Sequence, residues 1–274
     1  MPASLDFIVA ATRQLVSQRI AGSGRNSDLG ALERAAAEHT PRGFRNRLRR
    51  VAQDGIAIAV IAELKKASPS RGLIRADFKP SDLARELERA GAAALSVLTD
   101  EQFFQGSLDY LRQASTSSSL PCLRKDFMVD ELQIVEARAS CADAILLIVA
   151  ALDQKELVSL AGIARAQGLD VLCEAHDELE LQRALDAGCD LIGVNSRDLR
   201  TFEVNLETAL RLVEKIPAGC VRVAESGIQS GADIARLRSA GYEAFLIGES
   251  LMKAERPGEA LAKLIEEAKV VVSG

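Results

Sequence analysis

Several apolar runs in this chain end on charged side chains, and those residues are the ones equipped for chemistry. In Val60-Ile61-Ala62-Glu63-Leu64-Lys65, strand alternation puts Ile61, Glu63 and Lys65 on one face. Burying two opposite charges costs desolvation unless a ligand or partner uses them, so a purely structural ion pair is the lesser reading. Leu123-Arg124-Lys125-Asp126-Phe127 sets Lys125 on the same side as Leu123 and Phe127, an ammonium among apolar groups. Two lysines pointing into one mouth would lower at least one pKa toward the range of a general acid. Glu174, after Leu172-Cys173, is a carboxylate among apolar neighbours, which would raise its pKa and suit it to acid or base work. Asn195 and Arg197 share a face after Gly193-Val194, and the guanidinium offers a fork for a carboxylate.

Binding groups accompany these candidates. Glu225-Ser226-Gly227-Ile228 and Leu246-Ile247-Gly248-Glu249-Ser250 each close an apolar run and precede a helix start. Glycine lets backbone approach an oxyanion, and amides at a helix start favour phosphate. One such glycine would be a routine turn; two at corresponding positions of adjacent units point to a phosphate site. The loop Ala67-Ser68-Pro69-Ser70-Arg71-Gly72 is polar and of the kind that closes over ligands.

The elements that must position these residues repeat from about residue 58: a short β-branched run, a polar loop, then an amphipathic stretch with glycine near its end. Strands are expected at 57–64, 93–98, 121–125, 144–149, 170–173, 190–194, 220–224 and 244–247. Their starts lie roughly 20–36 residues apart, one strand, helix and return each, which favours a closed (β/α)8 TIM barrel over an open doubly wound sheet. Helices are expected at 83–90 behind Pro80, 178–187 capped by Asp177, 230–240, and 259–270 behind Pro257-Gly258. Active sites of such barrels lie at the C-terminal ends of the strands, where the charged residues above fall. Residues 1–50 break the pattern with two arginine-rich helix candidates, 5–20 and 27–38, an N-terminal helical extension of a single domain spanning 1–274. Nine arginines there stand against Asp6, Asp28, Glu33 and Glu38, yet without interleaved aromatics they read as helical faces rather than a nucleic-acid arm.

Composition narrows the function. At 274 residues, 48% hydrophobic and 27% charged, the chain has a globular balance, and one large barrel accounts for its length. A net charge of -5 argues against a polyanion binder, so no nucleic-acid partner is expected. Five scattered cysteines without a C-x-x-C pair read as reduced core thiols, and two histidines, His39 and His176, are too few for a histidine-rich metal site. Neither metal nor organic cofactor is expected. With no signal-like start and no run of about 18–20 apolar residues, a cytoplasmic protein without a membrane partner is the expectation; protein partners are not indicated.

Taken together, Ile61-Ala62-Glu63-Leu64-Lys65-Lys66-Ala67-Ser68-Pro69-Ser70-Arg71-Gly72, Leu98-Thr99-Asp100-Glu101, Phe103-Phe104-Gln105-Gly106 and Arg124-Lys125-Asp126-Phe127 resemble the indole-3-glycerol phosphate synthase family. So do Gly193-Val194-Asn195-Ser196-Arg197-Asp198-Leu199, Val223-Ala224-Glu225-Ser226-Gly227 and Ile247-Gly248-Glu249-Ser250, in order from about Pro41 onward. The resemblance implies a cofactor-free ring closure in which 1-(2-carboxyphenylamino)-1-deoxyribulose 5-phosphate loses carbon dioxide and water. It implies Lys125 as acid at the ketone, Lys65 and Glu174 as acid and base of the dehydration, and Glu63, Asn195 and Ser226 alongside them. Which lysine serves which step stays open. It further implies Ser68 and Arg197 on the anthranilate carboxylate, with Glu225 beside them, and Pro69, Phe104, Phe127, Leu146 and Leu199 around the ring. Ser226, Gly227, Leu246, Gly248 and Glu249 would hold the phosphate. The sequence departs from the family at Asp130-Glu131-Leu132 and Cys141, beside one helix. A ketose isomerase, a Schiff-base aldolase built on Lys125, or a non-catalytic binding subunit are the rivals. Retention of Glu63, Lys65, Lys125 and Glu174 speaks against the last.

Overall fold

The computed structural model of the chain describes residues 3–22, 25–55, 57–198 and 201–272. The expected apolar runs become β1 (Ala59–Leu64), β2 (Ala94–Leu98), β3 (Cys122–Lys125), β4 (Ala144–Ile148), β5 (Asp170–Ala175), β6 (Leu191–Asn195), β7 (Val221–Glu225) and β8 (Ala244–Ile247). All pair in parallel with their sequence neighbours, and β1 also pairs with β8, Ala59 against Ala244, which closes the ring. The fold is therefore a (β/α)8 TIM barrel. Closure leaves no unpaired edge, and helices on the outside bury the second face of each strand.

Alternation divides each strand between two cores. Ile61, Leu123, Leu146, Leu172, Val223 and Leu246 fill the barrel, whereas Val60, Leu95, Ile145, Ile192 and Phe245 meet the helix layer. Observed strands start up to two residues later than the sequence suggests, since turn residues such as Ala57 and Pro121 lie outside the ladders. The outer helices follow their caps: Asp177 accepts from the Glu180 amide at the start of the helix Glu178–Asp186, and Ser230 caps the helix Gly231–Ser239.

The N-terminal extension has three helices, α1 (Leu5–Gly22), α2 (Arg25–Glu38) and α3 (Phe44–Gln53), one more than expected. Phe44, Leu48 and Val51 give α3 an apolar stripe at helical spacing, hidden in the sequence by four arginines. Phe44 and Leu48 plug the N-terminal end of the barrel. Ala36 of α2 packs on Val135 and Ala139 of the helix Glu131–Ala139 along the barrel's side. Leu5 and Ile8 of α1 reach the opposite mouth. Buried Asp143, just before β4, ties this wrap down: it accepts from the Arg42 guanidinium at 2.6 and 3.0 Å, the Arg42 amide at 2.6 Å and the Cys122 amide at 2.6 Å, with His39 at 3.2 Å. Arg13 meets Glu156, Arg19 meets Glu136 and Arg45 meets Asp190, so arginines of the extension are engaged within the molecule.

The reading of five free thiols needs correction. Cys122, Cys141 and Cys220 are free, but Cys173 and Cys189 are joined as a disulfide, their Cα atoms 6.4 Å apart. Adjacent β5 and β6 bring together two residues whose spacing in sequence gave no pairing signal.

Candidate active site

Charged residues at the strand ends converge on one cavity of about 690 Å³ at the C-terminal mouth, a volume suited to a small organic ligand. Every candidate named from the sequence lines it except Leu199, which lies outside the described residues. β1 delivers Glu63 and Lys65, whose Nζ lies 2.6 Å from Glu63 Oε1. β3 delivers Lys125, whose Nζ donates to Glu174 Oε2 of β5 at 2.8 Å and lies 3.6 Å from Glu225 Oε2 of β7. Asn195 of β6 donates its amide to Glu174 Oε1 at 2.9 Å and accepts from the Arg197 amide at 3.0 Å. Glu63, Glu174, Asn195 and Glu225 are all buried.

Glycines make the cluster possible. A Cβ on Gly193 would overlap the Glu225 carboxylate, and one on Gly248 would overlap Glu63. The expectation of Gly248 as a phosphate contact is thus joined by a packing requirement against Glu63.

Two expected pKa shifts run the other way. Burial is the largest influence on Lys125 and opposes its charge, but Glu174, Glu225 and Glu63 together outweigh it and raise the ammonium above the usual lysine range. The expected depression assumed Lys65 as the dominant neighbour; carboxylates surround Lys125 instead. Burial likewise pushes Glu174 up, yet Lys125 and His176 overcome it, and the carboxyl is held below the usual range. Glu225 takes the raised value expected of Glu174, through burial first and the charge of Glu174 second. One buried carboxyl is thus held as an anion beside another that resists ionisation, an arrangement that separates base from acid.

An apolar wall and a polar rim complete the mouth. Phe104 and Phe127 lie with ring centroids 6.1 Å apart, alongside Leu146 and Pro69. Ser226 and Gly227 have left-handed backbones, φ 65° and 79°, which turn the chain after β7 toward the cavity. On the neighbouring rim, Gly248 precedes Glu249, whose carboxylate meets Lys253 at 2.6 Å, Arg71 at 3.1 Å and Arg197 at 3.5 Å. Burial disfavours this carboxylate's charge, but Lys253, Arg71 and Lys65 hold its pKa below the ordinary value.

Sequence reasoning missed Leu5 and Ile8, which cover the mouth from α1, because nothing local says where an extension folds back. It also missed Lys253 and His176. His176 stood two residues beyond Glu174 at a strand end, a position that would have marked it.

A family model described as indole-3-glycerol phosphate synthase matches residues 5–264. An indole-3-glycerol phosphate synthase of Koribacter versatilis is 58% identical over 97% of this chain and 100% of its own length. That of a Polaromonas species is 51% identical over 95% of this chain and 97% of its own. Among solved structures, 3-hexulose-6-phosphate synthase from Salmonella typhimurium has a TM-score of 0.63 at 11% identity, covering 79% of this chain and 100% of that one. A mutant tryptophan synthase alpha-subunit from Pyrococcus furiosus has a TM-score of 0.57 at 17% identity, covering 76% and 96%. At such identities these structures show a shared barrel alone.

Proposed function

The chain belongs to the indole-3-glycerol phosphate synthase family, and from that premise we propose how its side chains divide the reaction. The enzyme is a decarboxylating carbon-carbon lyase of tryptophan biosynthesis, closing 1-(2-carboxyphenylamino)-1-deoxyribulose 5-phosphate to indole-3-glycerol phosphate. The carboxylate-bearing ring carbon attacks the C2 ketone, and the Lys125 ammonium gives the forming alkoxide its proton. Carbon dioxide then leaves, and its bonding electrons restore the aromatic ring. Loss of the C2 hydroxyl as water takes a second proton, from Lys65. Glu174 accepts the proton whose departure completes the indole. Two protons are given and one is taken, which balances the carboxylate consumed.

Binding groups supply orientation. Arg197 and Ser68 hold the anthranilate carboxylate with Glu225 nearby, while Glu63 and Asn195 orient the lysines and the hydroxyls. Phe104, Phe127, Leu146, Pro69 and Leu199 wall the ring, and Ser226, Gly227, Leu246, Gly248 and the Glu249 amide take the phosphate. The observation that carries this reading is the pairing of Lys125 with the buried Glu174 at 2.8 Å beside an apolar wall. A Schiff-base aldolase would need Lys125 as a free amine, and its raised pKa argues against one. A simple ketose isomerase has no use for Arg197 beside an aromatic pocket.

A cytoplasmic, single-domain protein acting without nucleic acid belongs to the same proposal, supported by the mild charge of -5 and the engaged arginines of the extension. No helix among the described residues is long and apolar enough to cross a membrane. The deciding assay incubates chelator-treated protein with the anilino-deoxyribulose phosphate and follows indole fluorescence. Folded protein yielding no product would reject the proposal.

A further inference from the structure

His176 follows β5 directly, two residues beyond Glu174, and has no part in the chemistry above. Its Nδ1 lies 2.9 Å from Glu180 Oε2, and its own amide donates to that same oxygen at 2.8 Å. Glu180 sits in the first turn of the helix Glu178–Asp186, itself capped by Asp177. The other ring nitrogen, Nε2, is buried, makes no hydrogen bond, and lies 3.4 Å from Glu174 Oε1.

Tautomer chemistry decides what the ring must be. A neutral imidazole carries one N–H and one lone pair. Donating to Glu180 through Nδ1 would leave the Nε2 lone pair facing a carboxylate oxygen; donating through Nε2 would leave a lone pair facing Glu180. Only the imidazolium offers a proton to both. The groups facing it are Glu174 of β5 and Glu180 of the helix Glu178–Asp186, and behind Glu174 stand Lys125 of β3, Asn195 of β6 and Glu225 of β7.

We infer that His176, held as an imidazolium by Glu180, is a positioning residue that keeps the Glu174 carboxylate ionised and aimed into the mouth. Burial opposes the ring's charge, yet Glu174 and Glu180 outweigh it and raise the ring to about 10. Without that cation only Lys125 and the Asn195 amide would offset burial and the neighbouring Glu225, and protons would compete for the base at higher pH. The inference rests on Glu174 being the base.

The first test uses the wild-type protein. With only His39 and His176 to resolve, nitrogen NMR of histidine-labelled protein, assigned by His176→Asn, should show both ring nitrogens of His176 protonated beyond pH 9. A midpoint near the free-histidine value of about 6.5 would overturn the inference. The second test is the pH dependence of kcat/KM for His176→Asn and Glu180→Gln. The acidic limb should move up by about one pH unit, with kcat at its foot falling about tenfold and KM changing less than about threefold. A structural role alone would lower thermal stability and leave that limb in place, and an unmoved limb in Glu180→Gln overturns the inference even where His176→Asn fails to fold. Glu174→Gln serves as the separate control: full turnover there would reject the base assignment itself.

Discussion

At the residue scale, function depends on which of several similar groups keeps its charge. Lys125 is raised by three carboxylates and stays an ammonium throughout the neutral range, so it acts as donor rather than nucleophile. Lys125→Ala should lower kcat by about 10³ or more while the substrate still binds, measured by single-turnover kinetics and equilibrium binding. Near-normal turnover would remove the assigned acid. Glu225 takes the opposite part, its carboxyl raised by burial and by Glu174. A raised carboxyl contributes stability that is full below its unfolded value of about 4.3 and is lost as pH rises through its folded value. Glu225→Gln, which cannot ionise, should therefore lose less stability between pH 6 and pH 9 than the parent, read from urea midpoints across that range. Equal losses would show that Glu225 ionises freely.

At the element scale, turns and tethers place the side chains that strands only aim. Gly227 has φ 79°, and a Cβ there would meet Val204 at 2.6 Å. Gly227→Ala should strain the turn after β7 by about 1–3 kcal/mol, raising KM well above any change in kcat. An unchanged KM would detach this turn from phosphate binding. Asp143 holds the wrap of the extension through Arg42, His39 and the Cys122 amide, and burial works against its charge while His39 and Arg42 pull its pKa down. Asp143→Ala would strand the Arg42 guanidinium and cost roughly 3–5 kcal/mol, a fall in midpoint on the order of 10 °C by calorimetry. A shift below about 2 °C would deny the tether that role.

At the scale of the whole molecule, the extension runs from the mouth down one flank to the floor, so its loss should be felt at both ends. Because Asp143 is depressed, its contribution is present above the ordinary carboxylate range and is lost as pH falls through its folded value. His176 is raised to about 10, so its contribution is full below about 6.5 and is lost as pH rises through about 10. Stability measured against pH should thus decline on both sides of neutrality, and Asp143→Asn should flatten only the acidic side. The eight strands, the Asp177 cap of the helix Glu178–Asp186 and most of the charged mouth residues were legible in the sequence, since alternation and capping act over a few neighbours and the strand ends announce themselves by charge. The folding back of α1 over the mouth, the joining of Cys173 to Cys189 and the direction of the Lys125 and Glu174 shifts were decided only in three dimensions. Each depends on which distant groups meet: a pKa follows the nearest charges and the surrounding dielectric, and closing the barrel is what gives Lys125 three carboxylate neighbours from β1, β5 and β7.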